Sequence, residues 1–211
     1  TYNSKSIISQ INRNEDVLTD TLFNQVFRRA KSIYMETEGY FDCTILPLLN
    51  FWGFGPYQYN NIDSSQINNI LNLVGFDKLE LKGNILFKPK GMKIDFNGIA
   101  QGYTVDIISA LLEQHNIHNY LVEIGGEIKA KGLNPDGKIW RVGIEKPLEA
   151  TGNDLQVIIS LKNQSLATSG NYRKFYEEDG VKYSHIIDPF IGFPTKNRLL
   201  SVSVLTKNCM D

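Results

Sequence analysis

Residues 95–103 combine the residue types that could bind an anionic ligand at the start of a helix. A strand-like pattern ends at Asp95, and a helical pattern begins close to Gly98 and includes Gly102. A helix start presents backbone N–H groups without helical acceptors, and these groups bind anions. Glycines let a ligand approach the backbone closely. The segment predicts either a ligand site or a helix that is simply capped by Asp95 or Asn97.

Two later segments are also candidates for ligand contact, each with a structural alternative. Residues 122–128 place Gly125 and Gly126 between two strand-like runs, which indicates a tight hairpin or a bare backbone surface for a flat ring or phosphate. Residues 167–173 combine hydroxyls, a glycine and Arg173. That combination suits phosphate oxygens, and it suits an ST-turn leading into a surface helix equally well.

His185 is the candidate for proton transfer. It lies in residues 183–189, a strand-like segment that also contains Asp188 and Pro189. Imidazole titrates near neutral pH and can act as a general base, although a structural histidine in a strand is the alternative. The sequence contains no GxSxG motif, so serine hydrolase chemistry gains no support.

Hydrophobic periodicity predicts helices in the first half of the chain and antiparallel strands in the second. Helices are predicted over residues 19–38, 64–74 and 99–115, and short strands over 85–95, broken at 90–91. In the first helix Thr19 or Asp20 can cap the start, Gly39 suits the stop, and the residues at helical spacing are Leu22, Val26, Ala30 and Ile33. The apolar stripe of the third helix is predicted to contain Ala100, Tyr103, Ile107, Ile108, Leu111 and Leu112. Further strands are predicted at 120–124, 127–131, 139–145, 155–161, 182–187 and 200–205. This order is typical of an α+β fold, and no linker composition divides it, so we predict one mixed domain over residues 1–211.

Composition excludes several classes of protein. The chain has 211 residues, 22 Lys and Arg against 23 Asp and Glu, and a formal charge of −1. It lacks a polybasic run, which argues against nucleic acid and anionic membrane as partners. No signal peptide pattern is present. The two cysteines, Cys43 and Cys209, lack a CxxC partner, which disfavours structural zinc and leaves a disulfide open.

Taken in order, eight segments resemble the FAD:protein FMN transferase family, the ApbE-type flavin transferases. Each segment is weak alone, but together they cover nearly the whole chain. They are residues 9–12, 39–44, 52–56, 95–103, 124–126, 140–144, 168–173 and 184–189.

The resemblance implies a T-fold-related α+β enzyme that binds FAD with Mg²⁺. Such an enzyme transfers the FMN half of FAD to a Ser or Thr hydroxyl of an acceptor flavoprotein and releases AMP. The resemblance assigns the acceptor-activating base to His185 and a metal-ligating carbonyl to Gly98. It also implies that the FAD site contains Tyr2, Tyr40, Phe41, Asp42, Asp95, Gln101 and Ile187, with Tyr2 covering the isoalloxazine.

The same resemblance implies a bacterial protein that faces the periplasm. Members are often lipoproteins, so a membrane is expected as partner only through a lipid anchor outside this sequence. Family members continue beyond Asp211 with an Asp and a Thr that complete the metal site, and the chain begins at Thr1 without Met. We therefore expect a domain truncated at both ends.

Three departures from the family pattern leave two other functions open. Gln101 stands where Lys is frequent, Cys43 where Pro is common, and Phe190-Ile191 where a polar pair precedes Gly192. The first alternative is a magnesium-dependent FAD pyrophosphatase that gives FMN and AMP. The second is a flavin-binding protein without turnover. The sequence names neither the acceptor nor the oligomeric state.

Overall fold

The computed structural model describes residues 3–56, 64–147, 155–170, 175–178, 181–195 and 199–211. Tyr2 and Arg173 lie outside these residues, so the predictions made for them stay predictions.

Helices are concentrated in the first half of the described chain. The α-helices are α1 (Ile7–Asn12), α2 (Thr21–Glu36), α3 (Leu46–Phe51), α4 (Ile67–Leu71) and α5 (Asn97–Gln114). Short 3₁₀ helices occupy Ser64–Gln66 and Phe76–Lys78. None of the helices within the described ranges is long and apolar enough to cross a bilayer.

The strands are short and follow mainly after α5. They are β1 (Glu80–Lys82), β2 (Ile85–Phe87), β3 (Tyr120–Ile124), β4 (Glu127–Lys131), β5 (Trp140–Glu145), β6 (Leu155–Leu161), β7 (Gln164–Gly170), β8 (Phe175–Glu178), β9 (Val181–Ser184) and β10 (Ser201–Thr206). The predicted strands at 120–124, 127–131 and 155–161 are confirmed to the residue, and those at 139–145 and 200–205 to within one residue.

One four-stranded antiparallel sheet has the order β10-β7-β4-β3. Three two-stranded sheets pair β1 with β2, β5 with β6 and β8 with β9. Helices together with antiparallel sheets confirm the predicted α+β class.

The chain divides into two compact units. The first unit comprises Thr1–Gly98 and Tyr176–Lys196, and the second comprises Ile99–Phe175 and Asn197–Asp211. The boundary therefore falls within the first turn of α5. The first unit has a core of Leu48, Phe51, Trp52, Ile67, Val74 and Ile187.

Helix α2 forms as its capping residues predict, and its buried face includes two of the four predicted positions, Val26 and Ala30. Asp20 Oδ1 accepts a hydrogen bond from the Phe23 N–H at 2.7 Å, the standard N-cap contact. Gly39, after the helix, has a φ of +89° that favours glycine. The buried positions include Phe23, Val26 and Ala30, whereas the predicted Leu22 is exposed.

Three predicted elements are shorter than the sequence pattern indicated. Within residues 64–74 only Ile67–Leu71 is α-helical, because a 3₁₀ turn precedes it and Gly75 follows with a φ of +131°. The predicted strands over 85–95 reduce to β2, since residues 88–96 form turns and irregular backbone. The predicted strand at 182–187 ends at Ser184, where the chain bends.

The predicted apolar stripe of α5 is partly wrong. Ile107 and Leu111 are 41% and 51% exposed, and the buried positions are Ile99, Gly102, Val105 and Ser109. The cause is a backbone partner: a Cβ on Gly102 would overlap the carbonyl oxygen of Cys209 and lie 2.7 Å from its carbonyl carbon. Small residues are required on that face because it packs against main chain.

We predict that Gly102→Ala lowers the free energy of unfolding by about 3 kcal/mol, because the methyl group collides with backbone that cannot rotate away. Gly98→Ala in the same helix is the matched control, since its Cβ meets only the Phe41 ring at 3.4 Å. That variant should be neutral or more stable by up to about 1 kcal/mol from helix propensity. Urea unfolding measures both, and equal effects would contradict the packing argument.

Candidate functional site

The start of α5 lies against residues 41–43 in the first unit. The Asp95 N–H donates to the Cys43 carbonyl at 2.7 Å. Gly98, the second residue of α5, packs near the ring of Phe41. A Cβ on Gly98 would lie 3.4 Å from Phe41 Cε2. Two segments more than 50 positions apart, both assigned to the FAD site from the sequence, are therefore neighbours.

Asp95 caps this helix start. Its Oδ1 accepts from the Asn97 N–H at 2.9 Å, and its Oδ2 accepts from Asn97 Nδ2 at 3.2 Å. The hydrogen bonds that the capping alternative predicts are therefore present, and ligand contact by this segment stays a prediction. The carboxylate also places negative charge next to the N–H groups that would otherwise attract an anion.

The carboxylate of Asp42 faces inward. It is buried and accepts from the Thr44 N–H at 2.8 Å and from Thr44 Oγ1 at 2.7 Å. Thr44 Oγ1 in turn accepts from the Gly75 N–H at 2.7 Å. Burial raises the pKa of Asp42, and the Thr44 hydrogen bonds oppose that shift. These contacts tie two loops together, and a contact with flavin stays a prediction.

Tyr40 lies on the surface beside the turn at residues 188–192. Its ring is 68% exposed and meets the ring of Phe190 edge-on, with centroids 5.1 Å apart and an interplanar angle of 74°. Residues 39–43 therefore contact both the start of α5 and the 188–192 turn.

His185 follows β9 and does not lie inside a strand, contrary to the prediction. Its ring is partly buried and meets Phe54 at a centroid distance of 6.4 Å. Tyr183, two residues earlier, stacks on Trp52 at 6.0 Å. Ile187, two residues later, is buried in the core of the first unit. Ile187 thus has an observed packing role, and its contact with flavin stays a prediction.

Gln101, in the second unit, is directed at the β3–β4 hairpin. Its Nε2 donates to the Ile124 carbonyl at 2.7 Å, and a Cβ on Gly125 would overlap that nitrogen. Gly125 and Gly126 have φ values of +59° and +102°, so they form the two-residue turn of the hairpin. The hairpin alternative for residues 122–128 is confirmed.

The segment at 167–170 is part of β7, so the ST-turn alternative is wrong there. Ala167 to Gly170 pair with residues 201–204 of β10, and the hydroxyls of Thr168 and Ser203 are 2.8 Å apart. Pairing on both edges of β7 fixes the backbone as a strand in spite of its turn-forming residues. Residues 171–173 lie outside the described residues, and phosphate binding by the segment stays a prediction.

Asp106 is a largely buried side chain whose contacts the sequence did not indicate. Its Oδ1 accepts from Lys129 Nζ at 2.7 Å and from the Cys209 N–H at 3.0 Å, and its Oδ2 accepts from the Met210 N–H at 2.9 Å. The partners are 23 and more than 100 positions away, and no local pattern around a helical Asp could reveal them.

The described residues supply little of a metal site. Within them, no group of three or more His, Cys, Asp or Glu is placed to hold an ion. Gly98, the predicted carbonyl ligand, lies in the first turn of α5. Both cysteines are buried free thiols, and burial raises the pKa of Cys209 to about 12.

The family model described as "ApbE family" matches residues 1–211 of this chain. The FAD:protein FMN transferase of Vibrio cholerae is 42% identical over 218 residues, and that of Haemophilus influenzae 38% over 224. The alignments cover 100% of this chain and 64% of each relative.

The structure called Flavin Transferase ApbE from Vibrio cholerae superposes with a TM-score of 0.86 at 40% identity. The match covers 100% of this chain and 68% of that one. The chain belongs to the ApbE family.

In the second unit of this ApbE-family chain, the carboxylate of Glu127 has one buried oxygen, Oε2, without a hydrogen bond among the described residues. Burial raises the pKa of Glu127, against the opposing effects of its own N–H and the Gln101 amide. Glutamine at position 101 supplies a dipole to this carboxylate without a positive charge.

We predict that Glu127 makes the protein less stable as pH rises. Its folded-state pKa lies above the reference value of 4.5, so the native state holds the proton more tightly there. The stabilisation is complete below the unfolded-state pKa and is lost as pH increases through the folded-state pKa. Glu127→Gln should remove this part of the decline in urea-unfolding free energy, which begins as pH rises above the reference pKa of 4.5.

Gln101→Lys is the second variant of that experiment. A lysine ammonium beside Glu127 lowers the pKa of the carboxyl, so the decline should again be smaller than in the wild type. Parallel pH curves for the wild type and Glu127→Gln would contradict the prediction.

Proposed function

We propose that this chain forms the flavin-binding part of an enzyme that transfers FMN from FAD to a Ser or Thr hydroxyl of an acceptor flavoprotein. The observation that carries the proposal is the position of residues 39–43, which contact both the start of α5 and the 188–192 turn. Family membership and relatives named FAD:protein FMN transferase support the same reaction.

In the proposed reaction the acceptor oxygen attacks the phosphorus of the FMN half. A new P–O bond forms to the acceptor, and the bond from that phosphorus to the bridging oxygen breaks, so AMP leaves with that oxygen. The hydroxyl proton passes to His185, because a hydroxyl is a weak nucleophile until a base accepts its proton. Tyr40 and Phe41 would contact the flavin, and Asp95 a polar group of FAD.

Magnesium dependence is part of the proposal through the resemblance, with the Gly98 carbonyl as one oxygen ligand. A hard cation neutralises charge that develops on phosphate oxygens when the pyrophosphate is cleaved. Because the described residues do not form a complete ligand set, we assign no further ligand.

The proposal also includes a location at the bacterial cell envelope, facing the periplasm, with a lipid anchor as the membrane contact. The buried thiols of Cys43 and Cys209 are compatible with an oxidising compartment, because the thiolate is the reactive form and burial raises the pKa of both. Fractionation of cells that produce the full-length protein tests this location.

The decisive experiment incubates the protein, extended to the full length of its relatives, with FAD, Mg²⁺ and a Thr-containing acceptor peptide. We expect covalent flavin on the peptide and one AMP released for each flavin transferred. A Thr→Ala peptide is the control. AMP and FMN released without acceptor would identify a pyrophosphatase, and FAD binding without product would identify a binding protein.

For His185→Ala we predict nearly unchanged FAD affinity and a loss of transfer rate of about 10²- to 10⁴-fold, the usual contribution of a general base. His118→Ala is the matched control, since His118 is exposed in the loop between α5 and β3 in the second unit. Single-turnover transfer and flavin fluorescence measure the two quantities. Unchanged transfer would exclude His185 from the mechanism.

A further inference from the structure

The turn at residues 188–192 is held rigidly in the first unit. Asp188 Oδ1 accepts from the N–H groups of Phe190 and Ile191 at 2.8 and 3.3 Å. The Gly192 N–H donates to the Asp188 carbonyl at 2.9 Å, and the Asp188 N–H donates to the Phe193 carbonyl at the same distance. These bonds close the turn at both ends.

The turn is also anchored to the core. The buried Trp52 Nε1 donates to the Gly192 carbonyl at 2.7 Å. Gly192 has a φ of +75°, and a Cβ there would lie 2.7 Å from Ile67 Cγ2. The turn therefore presents the Phe190 side chain from a fixed backbone.

Phe190 places its ring between the turn and residues 39–40. Its Cζ lies 3.1 Å from the position that a Cβ on Gly39 would occupy, so a side chain at position 39 would displace the ring. The Phe190 ring also meets the Tyr40 ring edge to face. Phe190 remains 55% exposed and Tyr40 68%, so much of each ring surface is available to a ligand.

We propose that Phe190 is a positioning residue that fixes the ring of Tyr40 for contact with the isoalloxazine of FAD. The inference rests on the proposed function and adds a residue and a selectivity to it. A surface tyrosine without a neighbour samples several rotamers, and ordering it upon binding costs affinity. The edge-to-face contact orders the Tyr40 ring before FAD binds. It therefore increases the affinity for the flavin half of FAD and leaves the affinity for the adenylate half unchanged.

The test compares Phe190→Ala with the wild type in binding FAD, FMN and AMP. An aromatic pair contributes enough that its loss should weaken FAD and FMN binding by about fivefold to tenfold each. The affinity for AMP, measured by competition with a fluorescent adenylate, should change by less than about twofold. In the transfer assay the KM for FAD should rise in the same proportion while kcat changes little.

Ile191→Ala is the matched control, because Ile191 lies on the same turn, is 58% exposed and keeps its N–H bond to Asp188. It should leave all three affinities within about twofold of the wild type. Phe190→Tyr keeps the ring and should restore FAD and FMN affinity. Thermal unfolding of every variant shows whether the turn remains folded.

The outcomes separate this inference from the proposed function. If the wild type binds FAD and Phe190→Ala binds it equally well, Phe190 does not position Tyr40. If Phe190→Ala weakens the binding of AMP as much as that of FMN, Phe190 acts only in the folding of the turn, and the inference is wrong. If the wild type binds no FAD at all, the proposed function fails first and the inference with it.

Discussion

The packing of the second unit depends on the bonds that the Asp106 carboxylate accepts. The carboxylate joins α5 to β4 through Lys129 and to the chain after β10 through two backbone N–H groups. Both charged side chains are largely buried, so removing Asp106 would leave the Lys129 ammonium without its carboxylate and the two backbone N–H groups without their acceptor. The close approach of Cys209 to Gly102 follows, because the N–H groups bound by Asp106 belong to the turn whose carbonyl meets that glycine.

In the first unit, hydrogen bonds to buried acceptors hold loops in fixed positions against the core. The Asp42 carboxylate and the Thr44 hydroxyl bind the loop at Gly75, and the Gly192 carbonyl binds Trp52. Each bond satisfies a polar group that burial would otherwise leave without a partner. The loops that contain the candidate ligand contacts are consequently hydrogen-bonded to buried groups, although they have no regular structure of their own.

The elements that the sequence predicted well are those whose signals are local. Strands β3 and β4 are short runs of strand-forming residues on either side of a Gly-Gly turn, and α2 begins at an Asp cap. Strand β7 was missed because Thr168, Ser169 and Gly170 are turn formers, and it is their pairing with β10 that holds them in the strand. The buried face of α5 was misassigned for the same reason, since its partner is the backbone of a segment about 100 positions away. In the candidate site, the hydrogen bond from Asp95 to Cys43 brings together two segments that the sequence assigned to one site, and their contact with FAD stays a prediction. The contact of Phe190 with Tyr40 joins residues far apart in the sequence, so no local signal could reveal it.

The charges at the start of α5 constrain how a pyrophosphate could bind there. Asp95 already places a carboxylate at this helix start, and a phosphate brought beside it would be repelled. Gln101 does not offset that charge, because its amide is hydrogen-bonded to Ile124 and the residue carries none. A divalent cation between carboxylate and phosphate would remove the repulsion, since oxygen atoms of both are ligands that Mg²⁺ accepts. This charge balance supports the proposed metal dependence if the pyrophosphate of FAD binds beside Asp95, and magnesium binding itself stays part of the proposal.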